Sequence, residues 1–149
     1  MDENNAPDVQ QVVPFFGVTS VERSVAFYTD GLGFVLKNQW APDGKLRWCW
    51  LTLGGSSLML QEFWTDGSHQ GRPDGKLGQG VSLCWICRDA VAIYREVTAR
   101  GIAASEPQVG NNMWVTHIID PDGYHLYFES PTDVPEETRL SEVPRLSSD

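Results

Sequence analysis

The same order of predicted elements occurs twice in this chain of 149 residues, and this repeat constrains the fold more than any other feature. In the first copy, a run rich in β-branched and aromatic residues over 12–18 precedes a segment with apolar residues at helical spacing. Ser20 is a suitable N-cap, because its hydroxyl can accept an unpaired backbone N–H of the first turn. Gly31 or Gly33 can take the left-handed conformation that ends a helix. Three strand-like runs follow, over 34–39, 46–53 and 57–64.

The second copy repeats this order at almost the same spacing. A strand-like run over 81–87 precedes a helix that Asp89 caps and Gly101 ends. From cap to stop there are 12 residues here and 11 in the first copy, where the helix runs from Ser20 to Gly31. Three further strand-like runs follow, over 102–105, 113–119 and 124–130.

The repeat predicts an α+β fold of two paired βαβββ modules, because each module is too small to bury its apolar face alone. Between the copies, five Gly or Pro residues and almost no apolar side chains indicate a linker. An excess of acidic residues and two prolines at the end predict a mobile tail. The predicted divisions are a flexible N-terminus over 1–10, a first module over 11–65, a linker over 66–79, a second module over 80–131 and an acidic tail over 132–149.

The distribution of charge argues against nucleic acid as a partner. The formal net charge is −9, but residues 11–128 carry 11 acidic and 9 basic side chains, a net of −2. A surface that binds nucleic acid needs clustered Lys and Arg on the folded part, and the sequence has no such cluster. We therefore expect no nucleic-acid partner and attribute the acidic ends mainly to solubility.

The lack of a long apolar run, the polar N-terminus and the number of cysteines indicate where the protein is located. No apolar run approaches the roughly 20 residues of a membrane-spanning helix, so no membrane partner is predicted. The acidic, polar start does not resemble a secretory signal, and three cysteines fit a reducing cytoplasm better than a disulfide framework. Cys84 and Cys87 have CxxC spacing, but residues three apart in a strand point to opposite faces, which argues against a redox pair. We expect a cytoplasmic protein.

Several segments together resemble the vicinal oxygen chelate superfamily, which includes glyoxalase I, extradiol dioxygenases, and fosfomycin- and bleomycin-resistance proteins. The likeness covers about residues 11–131 and depends on the order, spacing and repetition of its motifs. The resemblance implies paired modules whose sheets form a concave cleft, helices on the outer face, and a homodimer. The motifs are Val13-Pro14, the run from Ser20 to Tyr28, Gly31-Leu32-Gly33-Phe34, and Asp120-Pro121-Asp122-Gly123.

The resemblance also implies positions for a divalent metal, and this chain does not fill them with ligands. In the glyoxalase-type pattern, His and Glu on the first and last strands of each module hold the cation. None of the matching side chains is a good ligand for Zn²⁺, Ni²⁺ or Fe²⁺, so we predict no metal and no other cofactor. The matching positions are Val13, Val81, Tyr127 and, with the register open by one or two residues, Met59 or Gln61.

A shifted register leaves other ligands to consider. His125 and Glu129 share the strand face of Tyr127, whereas Glu62 is expected on the face opposite the first-module position. His117 belongs to the neighbouring strand. Too few ligands converge in this pattern for a metal cage, and surface or hydrogen-bonded histidines are the simpler interpretation.

Without metal ligands, the cleft is predicted to be apolar and aromatic. Strand alternation puts Phe15 on the face of Val13, and it puts Trp85 on the face of Val81. A cluster of flat rings suits a ligand with planar or apolar parts, although some rings are expected in the core or in a dimer interface. The predicted ligand-binding residues are Val13, Phe15, Trp48, Trp50, Met59, Gln61, Val81, Trp85, Trp114, His125 and Tyr127.

Pro14, the stretch over 29–34 and the tryptophan in the second module's first strand most resemble the bleomycin-resistance branch, which sequesters a drug without a metal. We therefore predict a homodimer that sequesters an aromatic or amphipathic small molecule, with no catalytic residue and antibiotic resistance as a candidate role. The nearly neutral folded part argues against a strongly cationic drug such as bleomycin itself.

Two alternatives stay open. One is a glyoxalase- or dioxygenase-like lyase or oxidoreductase of the same fold. It would have an unconventional metal site, or it would use Tyr127, His125 or Glu129 as acid or base. The other is a structural or regulatory dimer whose aromatic cluster is only an interface.

Overall fold

The computed structural model describes residues 6–67 and 71–144 and confirms the predicted α+β fold of two βαβββ modules. Helix α1 continues into a π-helical turn over Phe27–Gly31. The first module contains β1 (Phe15–Val18), α1 (Val21–Ala26), β2 (Val35–Trp40), β3 (Trp48–Leu53) and β4 (Ser56–Glu62). The second contains β5 (Ser82–Ile86), α2 (Ala90–Ala99), β6 (Gln108–Gly110), β7 (Met113–Ile119) and β8 (His125–Pro131).

Each module forms one four-stranded mixed sheet, in the order β1-β4-β3-β2 or β5-β8-β7-β6. The first and last strands of each module pair in parallel, and the other neighbours are antiparallel. Helix α1 packs on β4, and α2 packs on β7 and β8. Side chains alternate between a buried helix side and a more exposed side, which we call the open face of each sheet.

Both helix starts follow the sequence prediction. The hydroxyl of Ser20 accepts a hydrogen bond from the N–H of Arg23, and a carboxylate oxygen of Asp89 accepts one from the N–H of Ala92. Gly33 and Gly101 have positive φ, at 87° and 88°, so they are the residues that need the left-handed conformation after each helix.

The two modules share one hydrophobic core. The rings of Phe16 and Tyr124 stack with centroids 3.9 Å apart, and so join the first strand of one module to the last hairpin of the other. The Tyr28 hydroxyl donates to a carboxylate oxygen of buried Asp120 at 2.7 Å, and the Thr19 hydroxyl donates to Asp122 at 2.6 Å. The predicted turn over 120–123 therefore also fastens the modules together.

Two predicted segments differ in the structure. The strand expected over 102–105 is reduced to a single bridge between Ala104 and Ile118, and regular pairing begins only at Gln108. Pro107 explains the shift, because it has no N–H to donate and restricts the residue before it. Part of the linker, of which residues 66–67 and 71–79 are described, is anchored by Leu77, which is buried in the shared core.

The tail expected to be mobile is paired to the second sheet over much of its length. The N–H of Val109 donates to the Thr138 carbonyl, the N–H of Glu137 donates back to Val109, and Arg139 bridges to Gln108. This pairing covers the exposed edge of β6, which supplies the free backbone groups that the tail uses. Residues 145–149 and 1–5 lie outside the described residues.

Across residues 6–67 and 71–144, no helix combines the length and the apolar character that a membrane span requires.

Candidate functional site

The open face of the first sheet brings together five of the predicted ligand-binding residues. Phe15 lies opposite Met59 in the parallel pair of β1 and β4. Trp50 lies opposite Met59, and Trp48 opposite Gln61, in the antiparallel pair of β3 and β4. Opposed residues point to the same side of a sheet, so the five side chains share the open face. This resolves the register that the sequence left open, whereas their role in binding stays a prediction.

Three further features belong to this face. Val13 is half-buried two residues before Phe15, and the carbonyl of its neighbour Pro14 accepts a hydrogen bond from the Met59 N–H at 2.9 Å. The Lys37 ammonium lies 5.7 Å from the centroid of the Trp50 ring, within the range of a cation–π interaction. The indole N–H of Trp50 is buried and has no acceptor among the described residues, which is costly for a polar group.

Glu62 lies on the opposite side of the same strand, as predicted. It pairs with Val18 and is 5% exposed. Its carboxylate binds the Arg47 guanidinium at 2.8 Å and the Lys45 ammonium at 2.9 Å, and it accepts a hydrogen bond from the Val21 N–H. These contacts join the start of α1 to the segment before β3. Glu62 therefore supports the first module, and its carboxylate is not available to the open face.

The open face of the second sheet carries titratable groups instead of indoles. Tyr127 lies opposite Cys84 on one side and opposite His117 on the other. The rings of Tyr127 and His117 stack, with centroids 4.5 Å apart and planes 12° apart. His117 Nε2 lies 2.8 Å from His125 Nδ1, a hydrogen bond between the two imidazoles. Burial, and then the neighbouring His125, lower the pKa of His117 and favour its neutral form.

Cys84 completes this face together with Glu129. The Cys84 thiol donates a hydrogen bond to a carboxylate oxygen of Glu129. Burial, the hydrogen bond to Glu129 and the negative charge of Glu129 raise the pKa of Cys84 to about 12. The thiol is therefore protonated at neutral pH, which makes it a poor nucleophile and a poor metal ligand.

The sequence put Trp85 on the face of Val81, in the same cleft as Tyr127, but the structure places Trp85 and Tyr127 on opposite sides of the second sheet. The parallel register sets Trp85 opposite Phe128, so it points to the helix side while Tyr127 points to the open face. There its ring stacks on Phe128 at 5.0 Å, and its indole N–H donates to the Ser56 hydroxyl at 2.9 Å. A one-residue difference in register moves every side chain of a strand to the other face, and the sequence pattern could not fix that register.

Trp114 and Val81 also lie away from the open face of the second sheet. Trp114 has the same parity along β7 as buried Thr116, so it points to the helix side. Val81 precedes β5 and is exposed. Of the predicted second-module residues, only His125 and Tyr127 share the open face.

Sequence reasoning missed a cavity between the modules. Its volume is about 570 Å³, and its wall combines the β3–β4 turn, β5 and α2. Trp85 lines this cavity rather than the open face. No local pattern could reveal it, because its wall comes from distant segments, including Leu32, Leu53, Trp85, Ile93, Val97 and Phe128.

The side chains of both open faces do not fit the metal implied by the family pattern. Val13, Met59 and Gln61 in the first module, and Tyr127 in the second, offer no His or carboxylate at the matching positions. Within residues 6–67 and 71–144, no three His, Cys, Asp or Glu side chains converge as a metal cage. No chemical step is therefore derived through such a metal.

A family model described as the Glyoxalase/Bleomycin resistance protein/Dioxygenase superfamily matches residues 10–128. The chain belongs to this superfamily. The match spans both modules and confirms the resemblance seen in the sequence motifs. No curated protein sequence matches the chain.

Solved structures of other proteins share the fold at low sequence identity. The bleomycin-binding protein complexed with bleomycin is 22% identical, with a TM-score of 0.63, and the match covers 82% of this chain and 98% of that one. TnmS3, an antibiotic binding protein from Streptomyces sp. CB03234, is 19% identical, with a TM-score of 0.61. The match covers 85% of this chain and 100% of TnmS3. A domain from Frankia sp. EAN1pec, described as a glyoxylase/bleomycin resistance protein/dioxygenase, is 18% identical, with a TM-score of 0.65 and coverage of 87% and 96%.

Proposed function

We propose that this superfamily member sequesters an aromatic or amphipathic small molecule on the open face of the first sheet, without a metal ion. The observation that carries the proposal is the cluster of Phe15, Trp48, Trp50 and Met59 on one side of the sheet. Apolar side chains gathered on one exposed face are typical of a binding surface, and Gln61 adds a polar group that can orient a ligand.

Two details of the first open face support a planar ligand with a hydrogen-bond acceptor. Phe15 is 52% exposed, so a large part of its ring is free to contact another flat ring. The Trp50 indole N–H lacks an acceptor among the described residues, and a small rotation of the ring toward a ligand oxygen would satisfy it. We therefore favour a planar compound that carries carbonyl or hydroxyl oxygens.

The superfamily and two of the similar solved structures support the class of ligand. One of those structures holds bleomycin, and TnmS3 is described as an antibiotic binding protein. We propose antibiotic binding, with resistance as its consequence, as the candidate physiological role. The nearly neutral charge of residues 11–128 favours a compound less cationic than bleomycin.

We further propose that the protein is a homodimer in the cytoplasm. Ile86 and Ile119 on the second sheet are 67% and 51% exposed, and Phe15 is similarly exposed on the first. A symmetric second copy would cover both open faces and enclose a ligand between them. Cys49, Cys84 and Cys87 are all free thiols, which is consistent with a reducing compartment.

A thermal-shift screen with tryptophan fluorescence tests the binding proposal. The probes are planar aromatic antibiotics, with bleomycin as a reference, and each probe is tested both without and with EDTA to detect metal-mediated binding. A ligand selective for the native state raises the melting temperature in proportion to its affinity and concentration. For a confirmed ligand, Trp50→Ala should weaken binding at least about tenfold, the loss expected for a stacked aromatic anchor.

The matched control is Trp114→Ala, which removes a half-buried indole from the helix side of the other sheet. It should leave the affinity of the same ligand unchanged. Equal losses in both variants, or binding that disappears in EDTA, would contradict the proposal. Light scattering checks the dimer, and a monomer at micromolar concentration would remove the second copy from the site.

One observation favours a catalytic alternative. Tyr127, His125 and Glu129 do lie on one face, and the neutral His117 beside them can accept a proton. If the chain is an enzyme, a compound that stabilises it should be converted on incubation. Mass spectrometry of the recovered compound decides this, because a sequestering protein returns it unchanged.

A further inference from the structure

The cavity between the modules is separate from the surface proposed above for the sequestered molecule. It lies on the helix side of the second sheet, where Trp85 and Phe128 stack on one another and line its wall. Of the described residues that line the cavity, none belongs to the proposed binding surface of the first sheet. Its volume of about 570 Å³ is within the range of pockets that hold small organic molecules.

Most of the cavity wall is apolar. Leu53, Trp85 and Ile93 are only half-buried, so their side chains leave apolar surface that a ligand can cover. The indole N–H of Trp85 donates to the Ser56 hydroxyl, and the ring stacks on Phe128, so its orientation is fixed. A wall with rigid aromatic rings suits a ligand that has a flat apolar part.

A basic side chain stands at the edge of this wall. Arg100 lines the cavity at the C-terminal end of α2, and its guanidinium donates a hydrogen bond to the Gly31 carbonyl at 3.2 Å. A guanidinium has five N–H donors, so this bond orients the group and leaves other donors available. Within residues 6–67 and 71–144, no carboxylate forms an ion pair with Arg100. The guanidinium is therefore suited to bind an anionic group of a ligand.

Glu96 is the other charged side chain among the described residues that line the cavity. It lies one helical turn before Arg100 and is exposed, and no ion pair in the described part of the chain holds it in place. Its carboxylate can turn to water, whereas the guanidinium of Arg100 is held by Gly31. We therefore expect Glu96 to oppose an anionic ligand slightly and not to contact it.

We propose that this cavity binds an aromatic carboxylic acid. The flat apolar part lies against the wall that contains Trp85, and the carboxylate accepts hydrogen bonds from the Arg100 guanidinium. A carboxylate is the anionic group that fits, because its single charge is balanced by one guanidinium. The site is independent of the molecule proposed for the first open face, and it needs neither a metal ion nor a second copy of the chain.

Calorimetric titration of the full chain with 2-naphthoate at pH 7.5 tests the site, and uncharged 2-naphthamide of the same shape is the reference. We expect one 2-naphthoate per chain, bound at least about tenfold more tightly than 2-naphthamide, because its hydrogen bonds from Arg100 are charge-assisted. Arg100→Gln should weaken 2-naphthoate about tenfold, leave 2-naphthamide unchanged and so remove the difference. Glu96→Gln should bind 2-naphthoate as tightly as the natural sequence or slightly more tightly.

Arg95→Gln is the matched control, because Arg95 is an exposed arginine of the same helix that does not line the cavity. It should bind both compounds like the natural sequence, and circular dichroism should show all variants folded. Trp50→Ala, on the first open face, should also leave 2-naphthoate binding unchanged, which separates the cavity from the sequestration site.

Three results would overturn the proposal: no binding of 2-naphthoate, equal affinity for 2-naphthoate and 2-naphthamide, or equal losses in Arg95→Gln and Arg100→Gln. A loss confined to Trp50→Ala would overturn it as well, because 2-naphthoate would then occupy the open face. A failed search for antibiotic ligands would not.

Discussion

The two sheets have the same strand order and the same pattern of parallel and antiparallel pairing, but their open faces differ in chemistry. The first presents indole, phenyl and thioether groups, and the second presents imidazoles, a phenol, a thiol and a carboxylate. The helix sides remain alike, with residues such as Leu60 and Leu126 fully buried. Helix-side positions are constrained by packing, whereas open-face positions are free to differ, so the specific function of a superfamily member lies in the latter.

The largest expected difference between the sheets concerns Glu62 and Glu129, which occupy similar places near the ends of β4 and β8. Glu62→Ala removes the buried partner of Arg47 and Lys45, so we expect a loss of about 3 kcal/mol in the free energy of unfolding. Glu129→Ala removes a half-buried carboxylate from an open face and should cost at most about 1 kcal/mol. Urea denaturation measures both, and similar losses would show that Glu62 is not a support of the first module.

The next effect concerns how closely each sheet is packed at a glycine. A Cβ at Gly17 in β1 would overlap the ring of Phe63, whereas a Cβ at Gly110 in β6 would have no atom within 4 Å. We expect Gly17→Ala to destabilise the protein by about 2 kcal/mol through overpacking. Gly110→Ala should be neutral or slightly stabilising, since it restricts the unfolded chain. Equal melting temperatures for the two variants would mean that Phe63 moves aside at no cost.

The sequence predicted what depends on local pattern and on repetition. Ser20 and Asp89 cap their helices as expected, because capping needs only a side-chain oxygen a few residues from an unpaired N–H. Alternation along the first strand likewise indicated the face of Phe15, whereas the register of Met59 stayed open until its pairing with Phe15 was known.

What the sequence could not predict depends on register and on contacts between distant segments. Trp85 was assigned to the wrong face because the start of β5 at Ser82 is set by its pairing with His125. The tail over 132–144 lacks a strand pattern of its own and is ordered by the free edge of β6. The hydrogen bond between His117 and His125 joins two strands whose relative register becomes known only in the fold.

An effect of similar size at pH 7, which decreases at acid pH, is expected where the two modules are fastened together. Burial raises the pKa of Asp120, and the hydrogen bond from Tyr28 opposes that rise by stabilising the carboxylate. A folded-state pKa above the unfolded value means that this group's contribution to stability is present at acid pH and lost as the pH rises through the folded pKa. The hydrogen bond from Tyr28 is strongest to the charged carboxylate at pH 7 and weaker once Asp120 is protonated. Tyr28→Phe should therefore cost about 2 kcal/mol at pH 7 and less at pH 4.

Tyr124→Phe is the control for this pH dependence. The Tyr124 hydroxyl donates to the backbone carbonyl of Gly17, which does not titrate, so its loss should cost about 1 kcal/mol at either pH. Thermal unfolding at pH 4 and pH 7 gives both values. A Tyr28→Phe deficit that stays constant between the two would show that Asp120 does not change its protonation state in this range.

The smallest expected effect tests whether the charge of Glu129 influences the Cys84 thiol on the second open face. Cys84 is exposed, yet its pKa of about 12 predicts that iodoacetamide alkylates it slowly at pH 8, because little thiolate is present. Glu129→Gln removes the negative charge beside the thiol and should increase the alkylation rate several-fold, as followed by mass spectrometry. Cys49 is buried beneath the first sheet, and its own raised pKa should keep its rate low in both proteins, which controls for partial unfolding. A Cys84 rate that does not change in Glu129→Gln would mean that burial alone holds the thiol protonated, and the second open face would then be a set of independent groups.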